Sequence, residues 1–173
     1  MMLMRRITVT SVLALVVTTL LPPAAQADKP GAHLVGDVTT TLSTSGLTVS
    51  GKGAGFGDFV TEAFLTADEV HAMFQCRNAG GNVAAGQPVV MMHVVGEPQT
   101  IMPRAGQIVF SVTLPAPPPP DPADVCPNGN WTVDPVPLML MFFGVRLRFE
   151  QNGEEILVVE LGDFGDHHHE MMM

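Results

Sequence analysis

The strongest structural signal in this sequence is a regular alternation of apolar and other side chains in two stretches. In residues 70–77 and again in residues 107–114, an apolar residue occupies every second position. Successive side chains of a β-strand point to opposite faces of the sheet, so this pattern predicts strands with one buried and one wet face. Weaker strand signals occur in residues 34–42, 47–50 and 89–95. Residues 59–65 fit a strand or a short helix, and we predict a strand.

Glycine- and proline-rich turn signals separate these segments. Residues 51–57 have glycine at every second position, residues 78–88 form a long loop, and residues 103–106 interrupt the chain again. Short strands with a turn signal about every ten residues are typical of a β-sandwich. We therefore predict an all-β fold, an immunoglobulin-like antiparallel β-sandwich of about seven or eight strands.

The best-defined element is a hairpin near the end of the chain. Asn152-Gly153 suits a two-residue type I′ turn, in which both central residues have positive φ angles. Pairing outward from this turn places Phe149 opposite Ile156. The same register predicts that the odd-numbered residues between positions 139 and 149 face the core.

The opposite face of this hairpin is also apolar, which is unusual for a face in contact with water. Either another segment of the chain covers it, or it is a contact surface for a partner protein or for a second copy in a homodimer. The candidate interface residues are Leu138, Leu140, Phe142, Leu157 and Val159.

The first residues of the chain have the three parts of an export signal. Arg5 and Arg6 precede an apolar stretch at residues 7–21, and Ala25-Gln26-Ala27 is a cleavage motif of small residues. The apolar stretch is shorter than the roughly 20 residues that span a bilayer, so we predict a secreted, extracellular protein without stable membrane insertion. A retained membrane anchor is the alternative. The predicted division is a signal peptide at residues 1–27, a β-sandwich domain at residues 28–161 and a disordered, acidic, histidine-rich tail at residues 162–173.

The chain has two cysteines, Cys76 and Cys126. An even number of cysteines in an exported chain favours a disulfide over free thiols. A bridge between these two would close a loop of about 50 residues, and it would stabilise the fold by about 4 kcal/mol in the chain-entropy model.

Charge and motif content limit the functions that this chain can have. Acidic residues outnumber basic ones 17 to 8, which gives a net charge of −9. Such a surface repels phosphate backbones, so we predict no nucleic-acid binding. The sequence also lacks a nucleophile elbow, a zinc-protease motif, a phosphate-binding loop and a dinucleotide fingerprint. We predict a non-catalytic protein that acts by binding an unknown protein or small ligand.

Two of the predicted strands carry histidines and methionines that could form a metal site if these strands are neighbours. A register that keeps apolar residues on one face sets His71 opposite His93 and Met73 opposite Met91 on the other. Imidazole and thioether ligands together favour soft ions such as Cu(I). The alternative is that both histidines face solvent without a ligand.

A second candidate metal site lies in the tail. Its candidate ligands are His167, His168 and His169. Clustered imidazoles with carboxylates beside them bind Zn(II), Ni(II) or Cu(II) loosely, and the alternative is a solvated acidic tail without a metal. We predict no resident cofactor, with copper or zinc binding as the alternative.

Two cysteine-containing motifs give the sequence a family resemblance. Residues 76–82 read Cys-Arg-Asn-Ala-Gly-Gly-Asn, and residues 126–132 read Cys-Pro-Asn-Gly-Asn-Trp-Thr. With these motifs, residues 45–149 resemble a group of small secreted β-sandwich proteins of unknown function that are common in actinobacteria. The resemblance implies an immunoglobulin-like sandwich with one disulfide, and it implies no catalytic residues.

Overall fold

Antiparallel strands dominate residues 31–165, the part of the chain that the computed structural model describes. The elements are β1 (His33–Leu34), β2 (Thr39–Ser43), β3 (Gly46–Ala54), β4 (Thr61–Asn78), β5 (Val83–Ala85), β6 (Val89–Val95), β7 (Gln99–Ile101), β8 (Gln107–Pro115), α1 (Pro122–Val125), β9 (Trp131–Gln151) and β10 (Glu154–Gly165). The predicted signal peptide and the tail histidines lie outside the described residues. β10 continues past residue 161, where the sequence predicts the end of the domain. No helix among the described residues is long and apolar enough to cross a membrane.

The strands form two antiparallel sheets, as a β-sandwich requires. In the four-stranded sheet, β3 pairs with β8 along one side and with β1 and β2 along the other. The six-stranded sheet has the order β10–β9–β4, and β5, β6 and β7 follow one another along the remaining side of β4. The predicted all-β antiparallel fold is confirmed. The described residues form ten strands rather than seven or eight, because β4 is long enough to take three short partners in succession.

The core lies between the two sheets and is filled by apolar side chains from both. Phe149 of β9 packs edge-to-face on Phe110 of β8 and on Phe56, with ring centroids 5.2 Å apart in both pairs. Burying an apolar side chain of this size stabilises a fold by about 1.5–3 kcal/mol. The predicted alternation is confirmed, since the buried residues of the two stretches are Val70, Ala72, Phe74, Cys76, Ile108, Phe110, Val112 and Leu114.

A disulfide joins Cys76 of β4 to Cys126, as predicted, with the two Cα atoms 5.8 Å apart. Cys126 follows α1, a single turn that begins where the Asp121 carboxylate accepts a hydrogen bond from the backbone N–H of Ala123. The loop that leads into β6 is held against this turn, because the N–H of Gln87 donates to the carbonyl of Val125. The bridge therefore fastens the segment before β9 and the start of β6 to the end of β4.

The final hairpin has the predicted turn but a different register. Asn152 and Gly153 have φ angles of 54° and 77°, and the residues on either side of them, Gln151 and Glu154, are paired. A bulge between Glu155 and Leu157 then shifts the pairing by one residue. Phe149 consequently pairs with Leu157, and the predicted pairing of Phe149 with Ile156 was wrong.

β4 and β9 both exchange their buried and outer faces part-way along their length. On β9, Val145, Leu147 and Phe149 are buried as predicted, but on the other side of Gly144 the buried residues are Leu140 and Phe142. Gly144 has a φ angle of 60°, a conformation that L side chains rarely adopt. The prediction that Met139, Met141 and Phe143 face the core was therefore wrong, and these three side chains are half-buried on the outer side of the sheet.

Candidate functional site

The structure separates the residues of the predicted histidine–methionine site. β6 does pair with β4, but His71 lies opposite Val90 and Met91 lies opposite Val70. The predicted register was wrong because β5, which lies in the segment predicted as a long loop, pairs with Gln75–Arg77 and occupies that end of β4. β6 consequently begins farther along, opposite Ala72.

The individual side chains of that predicted site have other partners. The Nε2 atom of His71 is 2.9 Å from a carboxylate oxygen of Glu69, and its ring packs on Phe143 with centroids 4.9 Å apart. Met73 lies opposite Met139 of β9. Within residues 31–165, no group of three or more His, Cys, Asp or Glu side chains is arranged to hold a metal ion. The tail hypothesis, on His167–His169, lies outside the described residues and stays a prediction.

The five predicted interface residues do not form one surface. Leu140 and Phe142 are buried in the core, because the reversal at Gly144 turns them inward. Leu157 and Val159 are half-buried and pack against the core from β10. Only Leu138 of this set is well exposed, at 55% of its surface.

The exposed apolar surface of the protein lies instead on β6. We call the solvent-facing side of this strand, Val89–Val95, the apolar edge. Its sequence is Val-Val-Met-Met-His-Val-Val, and Val90, Met91, Met92 and Val95 are all exposed. Among the described residues β6 pairs only with β4, so its other backbone edge meets no strand there. Unpaired strand edges with apolar side chains are templates for pairing with another chain.

The sequence of β6 carries a signal for this surface. Residues 89–95 are predicted as a strand, but six of these seven side chains are apolar, and only His93 interrupts the run. A continuous apolar run is typical of a strand buried on both faces. Because β6 lies at the margin of a sheet, the same run leaves apolar side chains in water.

A cluster of charged side chains links β4 and β9, in the middle of the six-stranded sheet, to β10 at the margin away from β6. Arg146 of β9 donates to both carboxylate oxygens of Asp68 on β4, at 2.7 and 3.1 Å. Its Nε atom also donates to Glu160 of β10 at 2.8 Å. The N–H of Gly144 donates to the carboxylate of Asp163, also on β10, at 2.8 Å. These bonds join three strands at the point where the sheet reverses its buried face.

Electrostatics in this cluster favour the charged forms of both partners. The hydrogen bonds from Arg146 lower the pKa of Asp68, desolvation opposes that effect, and the charges of Arg146 and His93 add to the lowering. The same bonds raise the pKa of Arg146, with Glu160 contributing. Because the Asp68 carboxylate and the guanidinium satisfy each other, we interpret the cluster as a clamp that holds the sheet together.

No protein-family model matches the chain, and no curated protein sequence matches it. The resemblance to small secreted actinobacterial proteins therefore stays a prediction.

Proposed function

We propose that this is a secreted, non-catalytic binding protein, an immunoglobulin-like sandwich, whose contact surface is the apolar edge. The observation that carries the proposal is a margin strand without a single Asp, Glu, Lys or Arg on a chain whose net charge is −9. Secretion is supported by the Cys76–Cys126 disulfide, because such bridges persist in oxidising compartments. The predicted signal peptide supports the same localisation.

We propose that the partner on this edge is a second copy of the chain. Residues 89–92 read Val-Val-Met-Met, so antiparallel pairing about their midpoint sets Val89 against Met92 and Val90 against Met91 in both directions. Every cross-strand pair in that arrangement is apolar, and a two-fold axis, the commonest symmetry of homodimers, repeats each pair. Two copies of an acidic protein repel each other over most of their surfaces, and an uncharged strand is where that repulsion is weakest.

The geometry of β6 limits how strong this association can be. His93 has a φ angle of 53°, which interrupts the strand after Met92. Regular pairing is thereby confined to a short ladder, and short two-stranded contacts are marginal in water. We therefore expect a reversible dimer that depends on protein concentration, not a permanent one.

The test is the molar mass of the mature protein, measured by sedimentation as its concentration is raised. We expect the mass to rise toward twice that of one chain. The variant Met92→Lys places a charge on the edge and should hold the protein as a monomer. Leu138→Lys is the matched control, because Leu138 and Met92 are equally exposed, at 55% and 56%, and the same charge is added.

Two results would contradict the proposal. One is a wild-type protein that stays monomeric at every concentration reached. The other is a dimer that Leu138→Lys disrupts and Met92→Lys does not, which would move the interface to the start of β9.

A further inference from the structure

The basic side chains of the described residues fall into two groups. They are Lys52, Arg77, Arg104, Arg146 and Arg148. Arg146 is held by the clamp, Arg77 lies 3.4 Å from a carboxylate oxygen of Asp134, and Arg148 pairs with Glu155. Lys52 and Arg104 form no salt bridge within residues 31–165, although acidic residues outnumber basic ones 17 to 8 in the chain.

Both of these cations line the same cavity, which has a volume of about 500 Å³. The cavity lies where β3 and β8 meet the segment that connects β7 to β8. Its volume is within the range of about 300–1,000 Å³ that small-molecule sites occupy. A bound anion in this cavity would lie beside two positive charges that form no salt bridge with a carboxylate of residues 31–165.

The rest of the lining is largely apolar. Val35, Met102 and Val109 line the cavity and are 47%, 64% and 67% exposed, so nothing among the described residues covers them. Ile101 and Ile108 extend the apolar lining inward. A ligand that fits this surface has an anionic head for the two cations and an apolar body for the remainder.

The backbone holds Arg104 in place. Arg104 and Gln107 exchange two backbone hydrogen bonds, of 2.8 and 3.0 Å, across Ala105 and Gly106. Both central residues have positive φ angles, 51° and 73°, as in a type I′ turn. Ala105 is an L residue in a conformation that normally favours glycine, so the two backbone hydrogen bonds of the turn have to hold it there. The turn positions the Arg104 backbone at the cavity before any ligand arrives.

We infer that this cavity binds a small amphiphilic carboxylate, with Lys52 and Arg104 holding the carboxylate and Val35, Met102 and Val109 contacting the apolar body. The inference is independent of the proposed dimer, because none of these residues belongs to β6. Both cations are at the surface, so salt should weaken the binding.

The probe is decanoate, titrated calorimetrically into the mature protein below the concentration at which it forms micelles. We expect saturable binding to the wild type. Lys52→Met and Arg104→Met should each weaken it at least tenfold, because each removes one charge-assisted contact and keeps a side chain of similar length. Lys52→Arg should retain binding. Arg77→Met is the matched control, since it removes the same charge elsewhere and should leave binding unchanged, as should Met92→Lys.

Two further probes separate the contribution of the carboxylate to binding from that of the apolar body. Acetate tests the carboxylate alone, and decyltrimethylammonium tests the apolar body with the opposite charge; both should bind at least tenfold more weakly than decanoate. The inference is overturned if decanoate does not bind the wild type. It is also overturned if the cationic amphiphile binds equally well, or if Arg104→Met and Arg77→Met have the same effect.

Discussion

The two margins of the six-stranded sheet are built in opposite ways. β10 carries Glu154, Glu155, Glu160 and Asp163, and its pairing with β9 is interrupted at three places along its length. β6, at the other margin, has no acidic or basic residue besides His93 and is interrupted once, at that residue. The same sheet therefore has one charged, irregular margin and one uncharged, more regular margin.

This difference indicates which margin can accept another strand. Charged side chains and bulges are the two common ways in which proteins prevent edge-to-edge pairing. β10 has both, and two of its carboxylates are also held by arginines of β9. β6 has neither protection over Val89–Met92. The openness of β6 is thus a local property and not a general feature of this sandwich.

The largest expected effect comes from removing the disulfide, which fastens the β6 side of the molecule and not the β10 side. We expect Cys76→Ala combined with Cys126→Ala to lower the free energy of unfolding by about 4 kcal/mol, since a loop of about 50 residues is no longer closed. Urea denaturation measures this loss. Hydrogen exchange should show more protection lost in β5 and β6 than in β10, because Gln87 is bonded to Val125 beside the bridge. If β10 loses as much protection as β5 and β6, the disulfide does not stabilise the β6 margin more than the β10 margin.

The sequence predicted those features of this architecture that depend on local chemistry. The turn at Asn152-Gly153 follows from the preference of two adjacent residues for positive φ angles, and the disulfide follows from two cysteines in a chain with a predicted export signal. The alternation in residues 70–77 is likewise a local property, and the structure buries the expected side chains.

The features that the sequence did not predict depend on contacts between distant residues. The buried face of β9 reverses at Gly144, at the level where β4 reverses beside Asp68, and the continuous apolar run at residues 138–143 does not show which of its side chains are buried. The register of β6 depends on β5, whose three residues carry too short a pattern to be recognised. The apolar run of β6 is visible in the sequence, but its exposure at the margin of a sheet and the cavity with Lys52 and Arg104 depend on where the strands lie in the sheets.

A smaller effect is expected from a substitution of Gly144. At this residue β9 reverses its buried face, and its N–H donates to Asp163 of β10. A Cβ atom at this position would lie 2.2 Å from a carboxylate oxygen of Asp68, and the φ angle is 60°. Gly144→Ala should therefore lower the free energy of unfolding by about 2–3 kcal/mol, from backbone strain and from displacement of the clamp. Thermal and urea denaturation measure the loss.

The control for that substitution is Gly153→Ala in the hairpin turn. Gly153 has a similar φ angle of 77°, but an added Cβ would meet nothing within 4 Å. Gly153→Ala should lower the free energy of unfolding by about 1–2 kcal/mol, from backbone strain alone. If the two variants are equally destabilised, the contact between Asp68 and Gly144 does not contribute to holding the β10 margin.

The smallest effect is a dependence of stability on acid that originates in the clamp. The pKa of Asp68 in the folded protein lies below its ordinary value of 3.8, mainly because Arg146 donates to its carboxylate. A depressed carboxyl pKa contributes stability that is fully present above the ordinary pKa and is lost as the pH falls through the folded value. The clamp should therefore weaken below about pH 4, at the margin that carries β10 and not at β6.

Asp68→Asn separates this contribution from that of the other carboxylates. The variant keeps the size of the side chain and removes the titrating group, so its melting temperature should fall less than that of the wild type between pH 5 and the most acidic pH at which both fold. Asp134→Asn is the comparison on the ion pair with Arg77, which is about as exposed as the clamp but has a single N···O contact, of 3.4 Å. Exposed pairs of this kind contribute little to stability, so that variant should follow the wild-type curve closely. If Asp68→Asn also follows the wild-type curve, the acid sensitivity of the fold lies outside the clamp, and the β10 margin is held by its packing against the core.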